Sequence, residues 1–331
     1  MRAGSARIFF VPLLVPVRRA AYDYIQGGPQ MQRGIVSVSK SVPTTEGAGV
    51  HLHRAFGFGK TEEYDPFLLL DDFRGDNPAD YRAGFPWHPH RGIETITYIL
   101  AGTVEHRDSL GNSGVIGPGE VQWMTAGSGI IHQEMPRGDE SGRMYGFQLW
   151  ANLPRAKKMI PPRYQQYGAA DIPAVTSREG SSARIICGEL WGGRGPVDGT
   201  FVDPAYFDIE IPAGTLQEIP IAPGRHAFAY IIEGSGDFCG KKEPFDVPRS
   251  SAGWADTLVE KQAANRHLLL FSDGDSITVE SGSKGIRFLL VSGIPLAEPV
   301  AWYGPIVMNT REELQTAFRE LEEGSFLKGE Q

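Results

Sequence analysis

The sequence predicts an all-β chain closed by one helix near its C-terminus. Three observations carry this. Gly 41 and Pro 24 in 331 residues punctuate the chain every few positions, which leaves little room for long helices and favours short strands joined by tight turns. Between these breaks, apolar and polar residues alternate with the period of two that half-buried strands require. A convincing helical period appears only after residue 309.

In chain order, residues 1–33 read as a leader that is disordered or not native to the protein. Met1 to Tyr22 carries four arginines and no acid. Its apolar run, Ile8 to Val17, is broken by Pro12 and Pro16 and is too short to span a bilayer. Arg18-Arg19 stand where a signal peptide needs small residues. A transit peptide remains open, as does a natural start at Met31, with the fold beginning near Gly34.

Strands follow. Ile35-Val36-Ser37-Val38-Ser39-Lys40, Thr95-Ile96-Thr97-Tyr98-Ile99 and Arg184-Ile185-Ile186-Cys187 all fit the strand pattern. Turn clusters separate them, including Gly75-Asp76-Asn77-Pro78, Gly117-Pro118-Gly119 and Asp273-Gly274-Asp275. Spacing of roughly ten residues points to a sandwich or barrel.

A weak internal repeat sets Thr97-Tyr98-Ile99-Leu100 against Ala229-Tyr230-Ile231-Ile232. Two copies of one β domain, about 130 residues each, would fill the chain. The expected bounds are 34–155 and 163–303, joined across the prolines between Leu153-Pro154 and Pro161-Pro162, with 304–331 as helix and tail. In that tail Thr310 and Glu313 form a capping-box pattern. Leu314, Ala317, Phe318 and Leu321 make the apolar stripe, and Gly324 is the expected stop.

Composition narrows the function. Lys+Arg 32 against Asp+Glu 40 gives −8, which argues against direct nucleic-acid or membrane-surface binding. Hydrophobic residues at 41% and charged residues at 22% suit a globular chain. Cys187 and Cys239 alone exclude a disulfide scaffold and fit a reduced, cytoplasmic compartment.

The chemistry is concentrated in two short motifs. In His88-Pro89-His90, residues i and i+2 of a strand point to one face, so both imidazoles can converge. His132-Gln133-Glu134 repeats the spacing with a carboxylate. A lone His-x-His on a surface strand is ordinarily solvated and silent. Two such pairs on strands expected to meet make a nitrogen and oxygen site for one transition metal ion: Fe, Mn, Co, Ni, Cu or Zn.

The segments Phe85-Pro86-Trp87-His88-Pro89-His90-Arg91-Gly92 and Gln122-Trp123-Met124-Thr125-Ala126-Gly127-Ser128-Gly129-Ile130-Ile131-His132-Gln133-Glu134 carry a resemblance to the pirin family. It extends to Asp65-Pro66-Phe67-Leu68-Leu69-Leu70-Asp71-Asp72-Phe73, Gln148-Leu149-Trp150-Ala151-Asn152 and Gly304-Pro305-Ile306-Val307-Met308-Asn309-Thr310. The resemblance covers roughly residues 34 to 323. It implies two tandem cupin barrels of the double-stranded β-helix, or jelly-roll, type. One metal ion, usually iron, would sit in the N-terminal barrel on His88, His90, His132 and Glu134, and the second barrel would have lost its metal. Some members cleave the flavonol quercetin with O2; mammalian members are described as iron-dependent transcriptional co-regulators.

Two functions follow. The first is an iron-dependent dioxygenase of the quercetin 2,3-dioxygenase type, acting on a small flavonol-like aromatic and O2, with Glu134 as ligand and base. The second is a redox-sensing module that docks a protein partner without turnover. Trp87, Trp123, Met124 and Trp150 are candidates for a hydrophobic mouth, with core filling as the plainer role for each. Arg91 either orients an anionic oxygen or caps a turn. Glu94 is expected to be a hydrogen-bond partner rather than a ligand, and His106 a surface or outer-sphere residue.

Overall fold

Alternation along the strand Ile93–Ala101 sets the architecture. Ile96 and Tyr98 point one way, into a large apolar cluster shared with Phe67, Trp123 and Phe147 and with Tyr206, Phe228 and Tyr230 from the second half of the chain. Ile99 points the other way and packs with Val50, Phe73 and Val104. One face thus builds the contact between two barrels and the other builds a barrel interior. In this computed structural model residues 31–248 and 257–328 are described. The expectations for the leader up to residue 30 fall outside them.

The first barrel pairs a seven-stranded sheet with a four-stranded one. The seven run in the order Arg163–Tyr167, Val121–Thr125, Ile93–Ala101, Tyr145–Asn152, Phe67–Asp72, Val50–Phe56 and Val42–Glu46. The four are Phe85–His90, Ile130–Arg137, Thr103–Asp108 and Ser113–Ile116. In the second barrel the long strand Ser276–Gly293 serves both layers. Its first part pairs with Leu216–Pro220 and its last part with Ala205–Ile211. The fold is therefore the expected pair of cupin barrels.

Two edge strands join the barrel opposite to the one expected. Ile35–Lys40 pairs with His267–Phe271 in the second barrel. Arg163–Tyr167 pairs with Val121–Thr125 in the first. Alternation tells which face a strand buries, not which sheet edge it extends. Arg33 is buried and donates to the carbonyls of Ala222, Arg225 and Ser272 at 2.8–2.9 Å. The chain is thus engaged with the second barrel before Gly34.

The barrel interiors differ. The second is filled by an apolar cluster that includes Phe207, Ile209, Ile219, Phe238, Ile277 and Phe288. The first has a smaller cluster and keeps a cavity.

After the second barrel the chain returns to the first. Ala301–Tyr303 and Ile306–Met308 form a small hairpin. The helix Arg311–Glu322 follows, N-capped by Thr310 with the capping box to Glu313. Buried Arg91 secures this arm. It donates to Glu320 at 2.7 Å and to the Phe326 carbonyl at 2.8 Å. The Lys158 ammonium donates to the carbonyls of Gly92 and Val307 and to Asn152. Among the described residues no helix is long and apolar enough to cross a membrane.

Candidate metal centre

Phe85–His90 and Ile130–Arg137 are antiparallel neighbours, with His132 directly opposite His88. Strand parity adds His90 to the same face. The three imidazoles meet inside the first barrel, with one ligand nitrogen from each within 4.8 Å of the others. His88 Nε2 lies 3.1 Å from His90 Nε2 and 2.9 Å from His132 Nε2.

Proton accounting shows what these nitrogens are. His88 Nδ1 is 2.8 Å from the Pro86 carbonyl, and His90 Nδ1 is 3.1 Å from the Pro305 carbonyl. A carbonyl only accepts, so in each neutral ring Nδ1 carries the proton and Nε2 presents a lone pair. Burial keeps the rings neutral by pushing the pKa of His88 down and those of His90 and His132 well below the usual value. Lone pairs facing each other at such distances repel; a cation between them turns the repulsion into coordination. The donor set fits a transition metal ion.

Glu134 shares the face of His132 but stands apart from the three-histidine group. The ladder shifts register between His132 and Glu134. The Glu134 carboxylate accepts from the Thr97 hydroxyl at 3.1 Å. Burial raises its pKa to about 7, against the lowering effect of Thr97. Thr97 also contacts the Gln148 side-chain amide at 2.6 Å.

A cavity of about 480 Å³ opens over this group and is lined by His88, His90, Thr97, Glu134 and Gln148 together with aromatic rings. Trp87 and Trp150 line it as expected. Trp123 and Met124 do not. Trp123 shares the parity of Val121 and packs between the barrels, while Met124 packs beside Leu68 and Ile130. In their place stand Phe58 and Trp302, stacked at 3.9 Å, with Trp302 5.9 Å from Trp150. Phe58 and Trp302 come from distant parts of the chain, and no local pattern marks them.

The remaining candidates separate clearly. Arg91 faces the C-terminal arm, donating to the Ser128 carbonyl at 2.7 Å, and does not line the cavity. Glu94 shares the parity of Ile96 and Tyr98, so it faces the inter-barrel side. There it accepts from Thr125 at 2.7 Å, and burial raises its pKa to about 6. His106 is fully buried and lies against His132, with ring centroids 5.3 Å apart. A further alternating pair, His51-Leu52-His53, is not brought to the centre; His51 pairs with Asp80 at 3.2 Å.

Comparison with known proteins agrees with this geometry. Residues 49–151 match the family model for pirin, and residues 206–327 match that of the pirin C-terminal cupin domain. A pirin-like protein of Caulobacter vibrioides is 42% identical over 295 residues, spanning 89% of this chain and 99% of its own. Pirin of Homo sapiens is 38% identical over 276 residues, 82% of this chain and 87% of its own. The crystal structure of quercetin 2,3-dioxygenase from Acinetobacter baumannii aligns with a TM-score of 0.77 at 28% identity, covering 89% of this chain and 99% of that one. With both halves matched, and relatives at this identity along most of their length, the chain belongs to the pirin family.

Proposed function

We propose that this protein is a metal-dependent dioxygenase that binds one ion, iron foremost, on His88, His90, His132 and Glu134 and cleaves a flavonol-like aromatic with O2. The observation that carries the reading is the set of inward-facing imidazole nitrogens beneath an aromatic-lined cavity of about 480 Å³. The likeness to a quercetin 2,3-dioxygenase structure supports it. When bound, the ion supplies Lewis acidity toward a hydroxyl oxygen and a one-electron couple for O2 chemistry.

The chain's own residues do the rest. Trp150, Trp302 and Phe58 offer faces against which a flat aromatic ring can lie. Their apolar surfaces exclude water from the reacting end. Thr97 holds Glu134 Oε1, which leaves Oε2 for both proposed roles: ligand to the ion and, on partly detaching, general base for the substrate's hydroxyl proton. A protein-docking module without turnover needs no enclosed volume of this kind, so the cavity favours the enzyme reading.

The test is elemental analysis together with oxygen uptake on a panel of flavonols and catechols. Glu134→Gln keeps the three imidazoles and is expected to retain metal more weakly. Turnover should fall by about 10²–10⁴, the usual effect of losing a positioned base. Metal-loaded protein that consumes no oxygen with any of the panel, yet captures a partner protein in a redox-dependent way, would overturn the dioxygenase reading.

A further inference from the structure

Two of the three histidines have their outer nitrogen on a backbone carbonyl. His132 does not. Its Nδ1 has a single neighbour within hydrogen-bond reach among the described residues, His106 Nδ1 at 3.5 Å. Behind His106, its Nε2 lies 3.2 Å from Asp108 Oδ2. Asp108 is itself held by the backbone N–H groups of Leu110 and Asn112 and by the Asn112 side chain, at 2.9–3.0 Å. Gln122 Nε2 approaches His106 Nδ1 at 2.9 Å.

With neutral rings, one proton arrangement leaves the Nε2 lone pairs of all three histidines free for a metal ion. The Asp108 carboxylate accepts, so His106 Nε2 carries the proton and His106 Nδ1 offers a lone pair. That lone pair receives the Gln122 amide at 2.9 Å and is shared, over a longer contact of 3.5 Å, with the His132 Nδ1–H. His132 Nε2 is then left unprotonated and aimed at the other two histidines. We infer that His106, anchored by Asp108, is a positioning residue that fixes the tautomer and orientation of His132 as a metal ligand. The strand register supports it, since Thr103–Asp108 runs beside Ile130–Arg137 with Asp108 opposite His132 and His106 opposite Glu134. Outer partners of this kind fix ring orientation and raise ligand basicity.

The inference rests on the metal reading above, and the experiment separates the two. The probe is Co(II), titrated into metal-free full-length protein against a competing chelator, with the visible ligand-field spectrum recorded. In His106→Asn the amide oxygen takes the place of the Nδ1 acceptor but does not reach Asp108. In His106→Gln the longer amide reaches Asp108 and leaves the Nδ1 position empty. His106→Gln is expected to bind Co(II) about 10–100-fold more weakly with an altered spectrum, the range seen for lost outer partners, while His106→Asn stays closer to wild type. A purely structural role predicts the reverse order, because the Asp108 contact would then matter most.

Wild-type affinity in His106→Gln, or weaker binding by His106→Asn than by His106→Gln, overturns the inference. A wild-type protein that does not bind Co(II) overturns the metal reading itself, and the inference with it. If circular dichroism shows His106→Gln unfolded, His106→Leu, which has no acceptor at the Nδ1 position, carries the test. Weaker Co(II) binding by His106→Leu than by His106→Asn supports the inference, and equal binding overturns it.

Discussion

Tyr98 and Tyr230 each donate a phenolic hydroxyl to a carboxylate of the opposite barrel. Tyr98 reaches Asp208 at 2.7 Å and Tyr230 reaches Asp72 at 2.8 Å. Each carboxylate is also gripped by two nitrogens of an arginine, Arg287 on Asp208 and Arg74 on Asp72. The two tyrosines occupy matching positions of the internal sequence repeat. The repeat is therefore visible twice, once as pattern and once as a reciprocal pair of buried bonds across the barrel contact.

Tyr98→Phe and Tyr230→Phe should each destabilise the protein by about 1.5–3 kcal/mol, as expected for a hydrogen bond to a charged group. Equilibrium urea unfolding of the metal-free protein checks this. A loss confined to one of the two would show that the exchange is not reciprocal in energy.

Gly92→Ala should damage the metal centre from a distance. Gly92 has φ +78°, and an added Cβ would lie 1.9 Å from the Val307 carbonyl oxygen. The hairpin carrying Val307 must move, and it also carries Pro305, whose carbonyl fixes His90. Metal affinity is expected to fall by about 10–100-fold with the strand content retained. Chelator competition with parallel circular dichroism distinguishes this from general unfolding.

Lys158 should make stability depend on pH in a defined window. Burial pushes its ammonium down to about 7, whereas an unfolded lysine titrates near 10.4. Between these values the unfolded chain holds the extra proton, so this group's contribution to stability rises with pH from about 7 to about 10.4 and is flat below 7. The stability difference between wild type and Lys158→Met should grow by about 2–3 kcal/mol from pH 7 to pH 9.5. A difference that stays constant would mean that the acceptors on Gly92, Val307 and Asn152 keep the ammonium charged throughout.

Elemental analysis should find one transition metal ion per chain, and His90→Ala should lose metal and activity together. The second barrel is filled by apolar side chains, and its described residues hold no cluster of metal-ligating groups. Two ions per chain would contradict that reading.

The three-histidine group was the most legible part of the candidate site, because His88-Pro89-His90 and His132 encode their shared face by strand parity alone. The C-terminal helix was legible for a similar reason, since Thr310 and Glu313 cap it through local hydrogen bonds. Parity also distinguishes Trp123 from Trp150, but only once the face that borders the cavity is known. Ile35–Lys40 and Arg163–Tyr167 could be read as strands but not assigned to a sheet, because edge pairing depends on partners far along the chain. Phe58 and Trp302 were invisible for the same reason, and Pro305 was visible as part of a motif but not as the partner of His90. His106 was legible as an alternating residue, and only its burial beside His132 gives it a role.

The contact between His90 and the Pro305 carbonyl has a consequence for biosynthesis. All four proposed ligands are translated by residue 134, yet the acceptor that sets the tautomer of His90 lies 215 positions after it. A nascent or truncated chain that stops short of the arm presents His90 without its outer partner. On the proposed metal reading, full metal affinity then depends on the arm having docked, and metal loading reports that docking.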